Sequence, residues 1–414
     1  MHILLVANAD SIWVQKYIEK VLIPLGARVT VLSQSHTAFC EFYEKNDICI
    51  VTTHPDILGH LANTASINQS LMQRCMAAVK PIIPQKIKQF IRKTLTTHSS
   101  TTFMQKISPP DIIHMHYIPP DMQDIFSPLL RHFTSKVVLT YWGSDLLRLT
   151  KARCNEQLLQ RSSAVTFMTT NLCKHFHNVY GSDFNNKLQI IDFGVSVYDA
   201  LDLLKQAPEA QVESRRRFQI PEGKICIMLG YNASPGQQHA EMIDSIERLP
   251  QGIKEKCHVL LQYSYNYTTD KKYYKSISDK LHTASFSWGI IDDFLDDNQS
   301  AYLRNAVDVF VHAQTTDALS ASMLEYLYAG AIVLNGSWLK YHELESRGIA
   351  YLQFDNFLHL SQLLESIVKA PVRFKKTAQA NQAALYALNS WAAVQSHWVG
   401  LYEQCLEGLS HAQV

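Results

Sequence analysis

The sequence lacks the short motifs that mark several common classes of enzyme. Its 414 residues contain no P-loop, no HExxH and no GxSxG, and the turn at 8–13 that follows the first strand-like run does not match GxGxxG. Sequence support is therefore missing for P-loop kinases, zinc metalloproteases, α/β hydrolases and enzymes that bind NAD or FAD.

Long apolar segments and an excess of one charge are missing as well. No run of about 18 apolar residues occurs, and Met1 to Val6 lack the basic start and long apolar stretch of a signal peptide. We therefore expect a cytosolic protein without a membrane span. The formal net charge is only +1, from 38 Lys and Arg against 37 Asp and Glu, so charge gives no argument for binding nucleic acid.

Cysteine pairs of the CxxC type are also absent. The eight cysteines are Cys40, Cys49, Cys75, Cys154, Cys173, Cys226, Cys257 and Cys405. Several of them lie inside apolar runs that are typical of strands. We therefore expect reduced core residues of a cytosolic protein, and no metal site built from them.

The chain does contain two series of short β-rich runs, each run followed by a helical pattern. The first series is 2–8, 28–33, 48–53, 111–117, 136–142, 164–170 and 188–194, and the second is 224–231, 257–264, 285–290, 308–313, 331–335 and 349–354. Such alternation predicts parallel sheets. Because 414 residues exceed what one hydrophobic core usually supports, we predict an α/β protein with two sheet domains.

The boundaries follow from composition. The stretch 196–220 is charged and helical and ends at Pro221-Glu222-Gly223, which indicates a connector. The last stretch, about 373–411, is helical and carries three large aromatic residues, which we expect to pack on the first domain. The predicted segments are 1–195, 196–220, 221–375 and 376–414.

The unit from Asp308 to Gly330 is the most informative part of the sequence. An apolar strand leads through a polar loop into a helix that begins with the small residues Ser320 and Ser322, whose backbone N–H groups suit an anion such as a nucleotide diphosphate. Asp317 and Glu325, separated by seven residues, place two carboxylates beside the same candidate binding site. One suits a sugar hydroxyl or developing positive charge, and the other suits the two ribose hydroxyls. The alternative is a helix cap with a solvated Glu.

A second polar loop follows the strand 224–231. Its candidate contacts with phosphate oxygens or the nucleotide sugar are Gly230, Asn232, Ser234, Gln237, Gln238 and His239, joined by Tyr263 after the next strand. Oriented amides and neutral donors can stabilise a leaving diphosphate without a metal ion. The alternative is an ordinary polar turn with a helix cap.

In the first domain, two strand ends carry candidate residues. His114 and His116 alternate in one strand, and we expect their rings on opposite faces, so that only His116, nearer the carboxyl end, meets a ligand. Asp145 follows the strand 136–142, after Trp142 and Gly143, and can accept a hydrogen bond from an acceptor hydroxyl or act as a base. A satisfied core histidine and a helix N-cap are the respective alternatives.

Several segments together resemble the GT-B glycosyltransferases of the retaining type grouped as family 4. They are DIIHMHY (111–117), TYWGSD (140–145), Phe193-Gly194-Val195, and VFVHAQTTDALSASMLEYLYAG (309–330) with the strand AIVLN. The resemblance spans nearly the whole chain. It implies two Rossmann-like domains that face each other across a cleft, a C-terminal helix that crosses back, a nucleotide-diphosphate sugar as donor, and no cofactor or metal.

The same resemblance assigns roles to individual residues. Glu325 would bind the donor ribose, Asp317 the transferred sugar, and His116 would donate a hydrogen bond to that sugar. Two departures stand out. Members usually carry Glu where Asp317 stands, and an Arg and a Lys for the diphosphate, where this chain has Gln237-Gln238-His239. Lys271 or Lys272 can substitute for the missing cation.

A second resemblance is to bacterial transferases that add an amino-fucose to a lipid-linked envelope oligosaccharide. It is carried by the loop Gly230 to Pro235 with His239, and by Gln262-Tyr263-Ser264-Tyr265. Because that group inverts at the anomeric carbon, the two resemblances disagree on stereochemistry. Together they imply transfer to a cell-envelope glycan, lipid-linked and of capsule, O-antigen or lipopolysaccharide type.

Three further expectations stay open. The basic and apolar residues at 80–93 suit either peripheral contact with an anionic membrane or an ordinary surface helix. A GT-B nucleotide-sugar epimerase or phosphorylase would act without a lipid acceptor. A catalytically inactive carbohydrate-binding or assembly subunit would fit the missing Lys and the shorter Asp317.

Overall fold

The computed structural model describes residues 1–33, 39–52, 108–120, 122–149, 155–264 and 271–408. These residues cluster into two compact units. The first consists of the described residues within Met1–Phe167, Leu172–Ile191 and Gln395–Val414. The second consists of those within Met168–Asn171 and Asp192–Val394.

The first unit contains a parallel sheet of seven strands in the order β3-β2-β1-β4-β5-β6-β7. These strands are β1 (His2–Val6), β2 (Arg28–Ser33), β3 (Cys49–Thr52), β4 (Ile112–His116), β5 (Lys136–Tyr141), β6 (Ala164–Phe167) and β7 (Leu188–Ile190). Every residue of β1 and β4 is buried. That burial explains the nearly continuous apolar sequences of these strands, since helices cover both faces of a parallel sheet.

The second unit contains a parallel sheet of six strands in the order β10-β9-β8-β11-β12-β13. These strands are β8 (Ile225–Leu229), β9 (Cys257–Gln262), β10 (Ser287–Ile291), β11 (Val309–His312), β12 (Ile332–Gly336) and β13 (Leu352–Phe354). Each of the thirteen predicted runs overlaps one of the thirteen described strands, so the α/β prediction with two parallel sheets is confirmed.

Helices connect the strands as the periodicity predicts. Up to residue 191 they are α1 (Ile12–Tyr17), α2 (Cys40–Lys45), α3 (Met122–His132), α4 (Ser144–Leu147), α5 (Glu156–Arg161) and α6 (Thr170–Tyr180). After it they are α7 (Val197–Lys205), α8 (Ala210–Arg217), α9 (His239–Glu247), α10 (Gln251–Lys254), α11 (Lys271–His282), α12 (Asp297–Ala306), α13 (Ala321–Ala329), α14 (His342–Glu345), α15 (Phe357–Lys369), α16 (Pro371–Gln379), α17 (Gln382–Asn389) and α18 (Trp391–Glu407). Ile18–Leu22 is a π-helical turn, and Asn185–Lys187 and Pro235–Gln237 are 3₁₀ turns.

The connector 196–220 forms α7 and α8, and the apolar face of α7 lies in the core of the second unit. Tyr198 is fully buried there, and its ring stacks on Tyr328 at a centroid distance of 3.9 Å. Arg215 of α8 donates a hydrogen bond to the Asp308 carboxylate at 2.9 Å. The same carboxylate accepts a hydrogen bond from Lys375 at 2.8 Å. These contacts hold α8 at the start of β11.

The last helix, α18, returns the chain to the first unit. Trp398 and Tyr402 are fully buried. The Tyr402 hydroxyl lies 2.5 Å from that of Tyr17 and 2.7 Å from Nδ1 of His114. The predicted C-terminal helix that crosses back is therefore part of the fold, and its aromatic residues complete the first core.

The cysteines divide into two groups. Cys173, Cys226, Cys257 and Cys405 are buried, as predicted. Cys40 and Cys49 are exposed, so the prediction of a core position is wrong for these two. Cys40 begins α2, and Cys49 begins β3, which lies at one end of the described strand order. Cys75 and Cys154 lie outside the described residues.

Among the described residues, no helix combines the length and apolar character needed to cross a membrane. The segment 80–93, considered for membrane contact, lies outside the described residues.

Candidate functional site

The helix α13 starts at the carboxyl edge of the second sheet, directly after the loop that follows β11. Ser320 is its N-cap: the hydroxyl accepts a hydrogen bond from the Met323 N–H at 3.2 Å. Gly330 ends the helix in the left-handed conformation, with φ of 90°. Because the first N–H groups of a helix have no intrahelical acceptor, Ala321 and the half-buried Ser322 present donors suited to an anion.

Asp317 lies in the same loop and faces His312, the last residue of β11. The Asp317 Oδ2 atom is 3.5 Å from Nε2 of His312, whose side chain is fully buried, whereas Asp317 is 18% exposed. On the other side of the ring, Nδ1 of His312 lies 2.8 Å from Oδ1 of Asn335 in β12. The loop carboxylate is therefore backed by a buried imidazole that the sequence analysis did not single out.

Glu325 is buried and paired with an arginine. Its Oε2 atom accepts a hydrogen bond from Nε of Arg304 at 2.9 Å, and the two side chains are only 8% and 4% exposed. Burial raises the pKa of Glu325, while the charge of Arg304 and its hydrogen bond act in the opposite direction. Arg304 Nη1 also donates to Gln262 Oε1 at 3.1 Å and to the Tyr326 hydroxyl at 3.0 Å. The sequence does not predict this ion pair, because Arg304 lies 21 residues before Glu325 and on a different helix.

The polar loop after β8 is built from its own side chains. The Asn232 Oδ1 atom accepts from the Ser234 N–H at 2.9 Å, and the Ser234 hydroxyl accepts from the Gly236 N–H at 3.4 Å. Gln238 crosses to the neighbouring loop and donates to the Ala313 carbonyl at 2.6 Å. Asn232 and Ser234 thus shape the loop, as the alternative of a polar turn predicts.

Gln237 and His239 turn inward at the end of β8. Both side chains are fully buried. A Cβ atom on Gly230, which has a φ of +67°, would come within 2.8 Å of Gln237 Oε1 and 2.9 Å of His239 Nε2, so only glycine fits there. Burial lowers the pKa of His239 to about 3, with the Leu229 carbonyl acting in the opposite direction. The ring is neutral at physiological pH.

Tyr263 joins this buried group from the end of β9. Its ring meets that of His239 edge-on at a centroid distance of 5.1 Å, and burial raises its pKa. The structure therefore brings Gly230, Gln237, His239 and Tyr263 together as predicted neighbours. Since neither Gln237 nor His239 faces solvent, their contact with a phosphate stays a prediction. Lys271 and Lys272, at the start of α11, are exposed.

In the first unit, His114 and His116 share one face of β4. Their ring centroids are 4.1 Å apart, so the prediction that they point to opposite faces is wrong. Residues separated by two positions in a strand lie on the same side of the sheet. His114 is held by Tyr402 at Nδ1 and by Thr140 at Nε2, both at 2.7 Å. It is a satisfied core residue.

His116 ends β4 among aromatic rings. Tyr17, Trp142 and Trp398 lie at centroid distances of 4.9, 5.7 and 6.5 Å. Burial lowers the pKa of His116 to about 3, so the ring is neutral at physiological pH. This state suits hydrogen bonding to a neutral sugar hydroxyl. Contact with a substrate stays a prediction.

Asp145 is buried and bonded to the backbone. Its carboxylate accepts from the N–H groups of Ile118 at 2.8 Å, Gly143 at 2.8 Å and Trp142 at 3.1 Å. Burial raises its pKa and these hydrogen bonds lower it. The carboxylate fixes the loops after β4 and β5, and its predicted role toward an acceptor hydroxyl is not tested by these contacts.

Comparison with known proteins depends on structure alone, because neither a protein-family model nor a curated protein sequence matches the chain. Among solved structures, a glycosyltransferase from Rickettsia africae matches with a TM-score of 0.69 and 15% identity over 98% of each chain. The Anabaena protein HepE in complex with UDP-glucose matches with a TM-score of 0.65 and 13% identity over 99% of this chain and 100% of HepE. Sucrose-phosphate synthase from Thermosynechococcus elongatus matches with a TM-score of 0.68 and 14% identity over 99% of this chain and 100% of the synthase.

The chain has the GT-B fold. The likeness covers both units and essentially the whole of each GT-B protein compared. Sequence reasoning found the strand ends of this GT-B fold but missed His312, Asn335 and Arg304. Only the position of His312 at the end of an apolar strand could have indicated it. Asn335 and Arg304 act across elements, so their spacing in the sequence carries no signal.

Proposed function

We propose that the protein is a metal-independent glycosyltransferase of the hexosyltransferase type. The observation that carries this proposal is the arrangement at the carboxyl edge of the second sheet, where the Ser320-capped helix starts directly after the loop that holds Asp317. Backbone N–H groups at a helix start suit a diphosphate, and a carboxylate beside them suits a sugar hydroxyl. The shared fold with glycosyltransferases supports the same conclusion.

The donor in this proposal is a nucleotide-diphosphate sugar held by the second unit. Ser320 and Ser322 face its diphosphate, Asp317 the transferred sugar, and Glu325 the ribose hydroxyls, with Arg304 holding the Glu325 carboxylate in place. UDP-glucose, the ligand of the HepE complex, is the nearest model for such a donor. No cofactor is required, since oriented amides and neutral donors stabilise the leaving diphosphate.

The acceptor in this proposal is a glycan of the cell envelope, lipid-linked, and bound by the first unit. His116 at the end of β4 contacts the sugar or the acceptor, and Asp145 holds the loops around it. The reaction takes place in the cytosol or on the inner face of the plasma membrane. Support for this acceptor is the resemblance of the loop 230–239 to amino-fucose transferases.

A catalytically inactive carbohydrate-binding or assembly subunit is the second candidate. Two observations favour it: Gln237 and His239 are fully buried rather than directed at a ligand, and the loop carboxylate is the shorter Asp317. Donor turnover separates the two candidates.

The first experiment measures thermal stabilisation by UDP, GDP, dTDP, CDP and CMP in the presence of EDTA. We expect one base to stabilise the protein, by about 2.7 kcal/mol at a concentration of one hundred times Kd. Glu325→Gln should weaken binding of that nucleotide by about 1–3 kcal/mol if Glu325 holds the ribose. Glu213→Gln is the matched control, because that carboxylate pairs with the exposed Arg216 and Arg217 of α8.

The results separate the candidates clearly. Stabilisation by none of the five nucleotides contradicts the donor proposal, and equal affinity in Glu325→Gln contradicts the ribose role. Once the base is known, turnover of its nucleotide sugar is measured with and without a membrane extract. Turnover that requires the extract supports a lipid-linked acceptor, and turnover without it supports an epimerase or phosphorylase.

A further inference from the structure

Tyr117, the residue directly after β4, has a backbone conformation that a tyrosine rarely adopts. Its φ of +64° lies in the left-handed region, where a Cβ atom crowds the neighbouring backbone. Its N–H nevertheless donates to the Thr140 carbonyl of β5 at 3.1 Å, which continues the ladder of the sheet. Asparagine and glycine adopt this conformation more readily, so a tyrosine at this position strains the backbone.

The turn that follows is fixed by two buried polar side chains. The N–H of Ile118 donates to the carboxylate of Asp145 at 2.8 Å. The carbonyl of Pro119 accepts a hydrogen bond from Nδ2 of Asn155 at 2.7 Å. Both polar side chains belong to residues that are at most 3% exposed. The backbone around Tyr117 is therefore held in place and does not relax to relieve the strain.

The ring of Tyr117 does not offset this strain by joining the core. It is 48% exposed, whereas Tyr17, Tyr43 and Tyr141 of the same unit are at most 1% exposed. A strained backbone that presents an exposed side chain is typical of positions that contact a ligand. The exposed ring therefore indicates a function outside the packing of the first unit.

Tyr117 lies where open parallel sheets usually bind ligands. The chain continues from β1 to β2 and β3 on one side of β1, and resumes at β4 on the other side. The crevice outside the carboxyl ends of two such strands is the common binding place. Val6 of β1 pairs with Met115 of β4, and Asn8 and Tyr117 both lie two residues beyond that pair. Both are exposed at the same edge of the sheet.

The two side chains suit a sugar ring in the pyranose form. An aromatic ring packs against the C–H groups on one face of a sugar, and its phenolic hydroxyl forms a hydrogen bond at the rim. The amide of Asn8 can donate to one sugar hydroxyl and accept from another. Its Oδ1 atom already accepts from the Asp10 N–H at 3.1 Å, which orients the amide.

We propose that Tyr117 and Asn8 bind one pyranose ring of a glycan at the carboxyl edge of the first sheet. The role of this glycan as the acceptor rests on the proposed function. The contact with the sugar does not, because a carbohydrate-binding subunit without catalytic activity would use the same two side chains.

The site is tested by saturation-transfer NMR with the methyl glycosides of glucose, galactose, mannose and N-acetylglucosamine, without any nucleotide. We expect at least one of them to bind. Tyr117→Asn should weaken that binding by about tenfold, because the ring is lost. Tyr117→Phe keeps the ring and should stay within about threefold of the unaltered protein. Binding of none of the four glycosides, or equal affinity in Tyr117→Asn, overturns the proposal.

The melting temperature separates binding from a structural role. Tyr117→Asn relieves the backbone strain, so its melting temperature should be unchanged or higher. A lower value would assign the ring to folding and overturn the proposal. Glu209→Asn is the matched control, since this exposed residue of the second unit has a φ of +59°. It relieves the same strain and should leave glycoside binding unchanged, and a weaker affinity in this control also overturns the proposal.

Asn8→Ala keeps the test decisive if Tyr117→Asn does not fold. The substitution removes an exposed amide and should weaken glycoside binding by about threefold or more. Unchanged affinity in this variant would contradict the contribution of Asn8 and overturn the proposed pair.

This proposal and the transferase proposal fail in different ways. If a glycoside binds through Tyr117 and no nucleotide binds, the sugar site stands and the donor proposal is contradicted. If donor turnover is found and Tyr117→Asn transfers at the same rate and the same acceptor concentration, the transferase stands and the sugar site is wrong.

Discussion

The strands β4 and β11 hold the same place in their sheets, fourth in each strand order, and each ends on a buried histidine. In the first unit His116 lies among aromatic rings, and burial lowers its pKa to about 3. In the second unit His312 has an amide on one nitrogen and a carboxylate near the other. The same position in the fold thus places an imidazole among aromatic rings in one unit and beside a carboxylate in the other.

The two units also differ in the hydrogen-bond donors that satisfy a buried carboxylate. In the first unit Asp145 is satisfied by three backbone N–H groups. In the second unit Glu325 is satisfied by the guanidinium of Arg304. Backbone donors are fixed by the fold, whereas a side-chain cation can be removed by one substitution. The first unit is therefore expected to lose stability by rearranging a loop, and the second by leaving an unpaired charge buried.

The largest expected effect is that of Arg304→Met in the second unit. The substitution keeps the volume but leaves the Glu325 carboxylate buried without its cation, which should lower the free energy of unfolding by about 3–5 kcal/mol. Urea denaturation measures it. The double variant with Glu325→Leu should recover most of the loss, because replacing both members of a buried pair by apolar residues is often neutral.

Arg216→Ala is the matched control, since that arginine is 74% exposed and pairs with Glu213. It should leave the urea-denaturation midpoint close to that of the unaltered protein, because an exposed ion pair contributes little to stability. A loss below about 1 kcal/mol for Arg304→Met would show that Glu325 finds water or another donor.

Asp145→Asn tests how much the buried carboxylate of the first unit contributes to the free energy of unfolding. An amide in place of the carboxylate turns one acceptor into a donor that faces backbone N–H groups, so we expect a loss of about 2–3 kcal/mol in urea denaturation. The exposed Glu44→Gln in α2 serves as control. Unchanged stability would mean that the carboxylate is free to serve a substrate rather than to hold the loops.

The pH dependence of stability tests the histidine site of the first unit. His116 binds its proton far less readily in the folded state, at a pKa of about 3, than the usual 6.5. Its contribution to stability is therefore complete above pH 6.5 and is lost as the pH falls toward 3. Between pH 7 and pH 5 this amounts to about 2 kcal/mol. His116→Gln should flatten the pH profile of the unfolding free energy by that amount.

The exposed His132→Gln should leave the profile as it is. A His116→Gln profile parallel to that of the unaltered protein would contradict the neutral state assigned to the ring.

The smallest expected effect concerns how helices start in the two units. Ser320 caps α13 through its hydroxyl, so Ser320→Ala should cost about 1 kcal/mol. The helix α4 has Gly143 at its N-cap and no side-chain cap bond, so Ser144→Ala should cost much less. Thermal unfolding compares the two, and equal shifts would show that the Ser320 hydroxyl contributes little.

Sequence reasoning predicted the sheets well because the strands of parallel sheets are short, apolar and bounded by polar turns. The order of strands across each sheet, by contrast, is not encoded in local periodicity. The start and end of α13 were also predictable, since Ser320 and Gly330 act through their own backbone neighbourhood.

The candidate site was predictable only where a residue acts on its near neighbours. Asn232 and Ser234 bond within their own loop, and the sequence indicated that turn. Arg304 and Asn335 reach Glu325 and His312 across separate elements, so only the tertiary structure pairs them. The face of His114 was mispredicted although the sequence specifies it, because a spacing of two residues always places side chains on one side of a strand.

The return of α18 to the first unit has a consequence for biosynthesis. The Tyr402 hydroxyl bonds to His114 in β4 and to Tyr17 in α1, so the first unit contains side chains from both termini of the chain. A ribosome releases Tyr402 only after the entire second unit has been made. The nascent first unit must therefore persist with an incomplete core throughout that interval, and a chain terminated after residue 394 would leave the earliest-made unit, rather than the latest, without part of its interior.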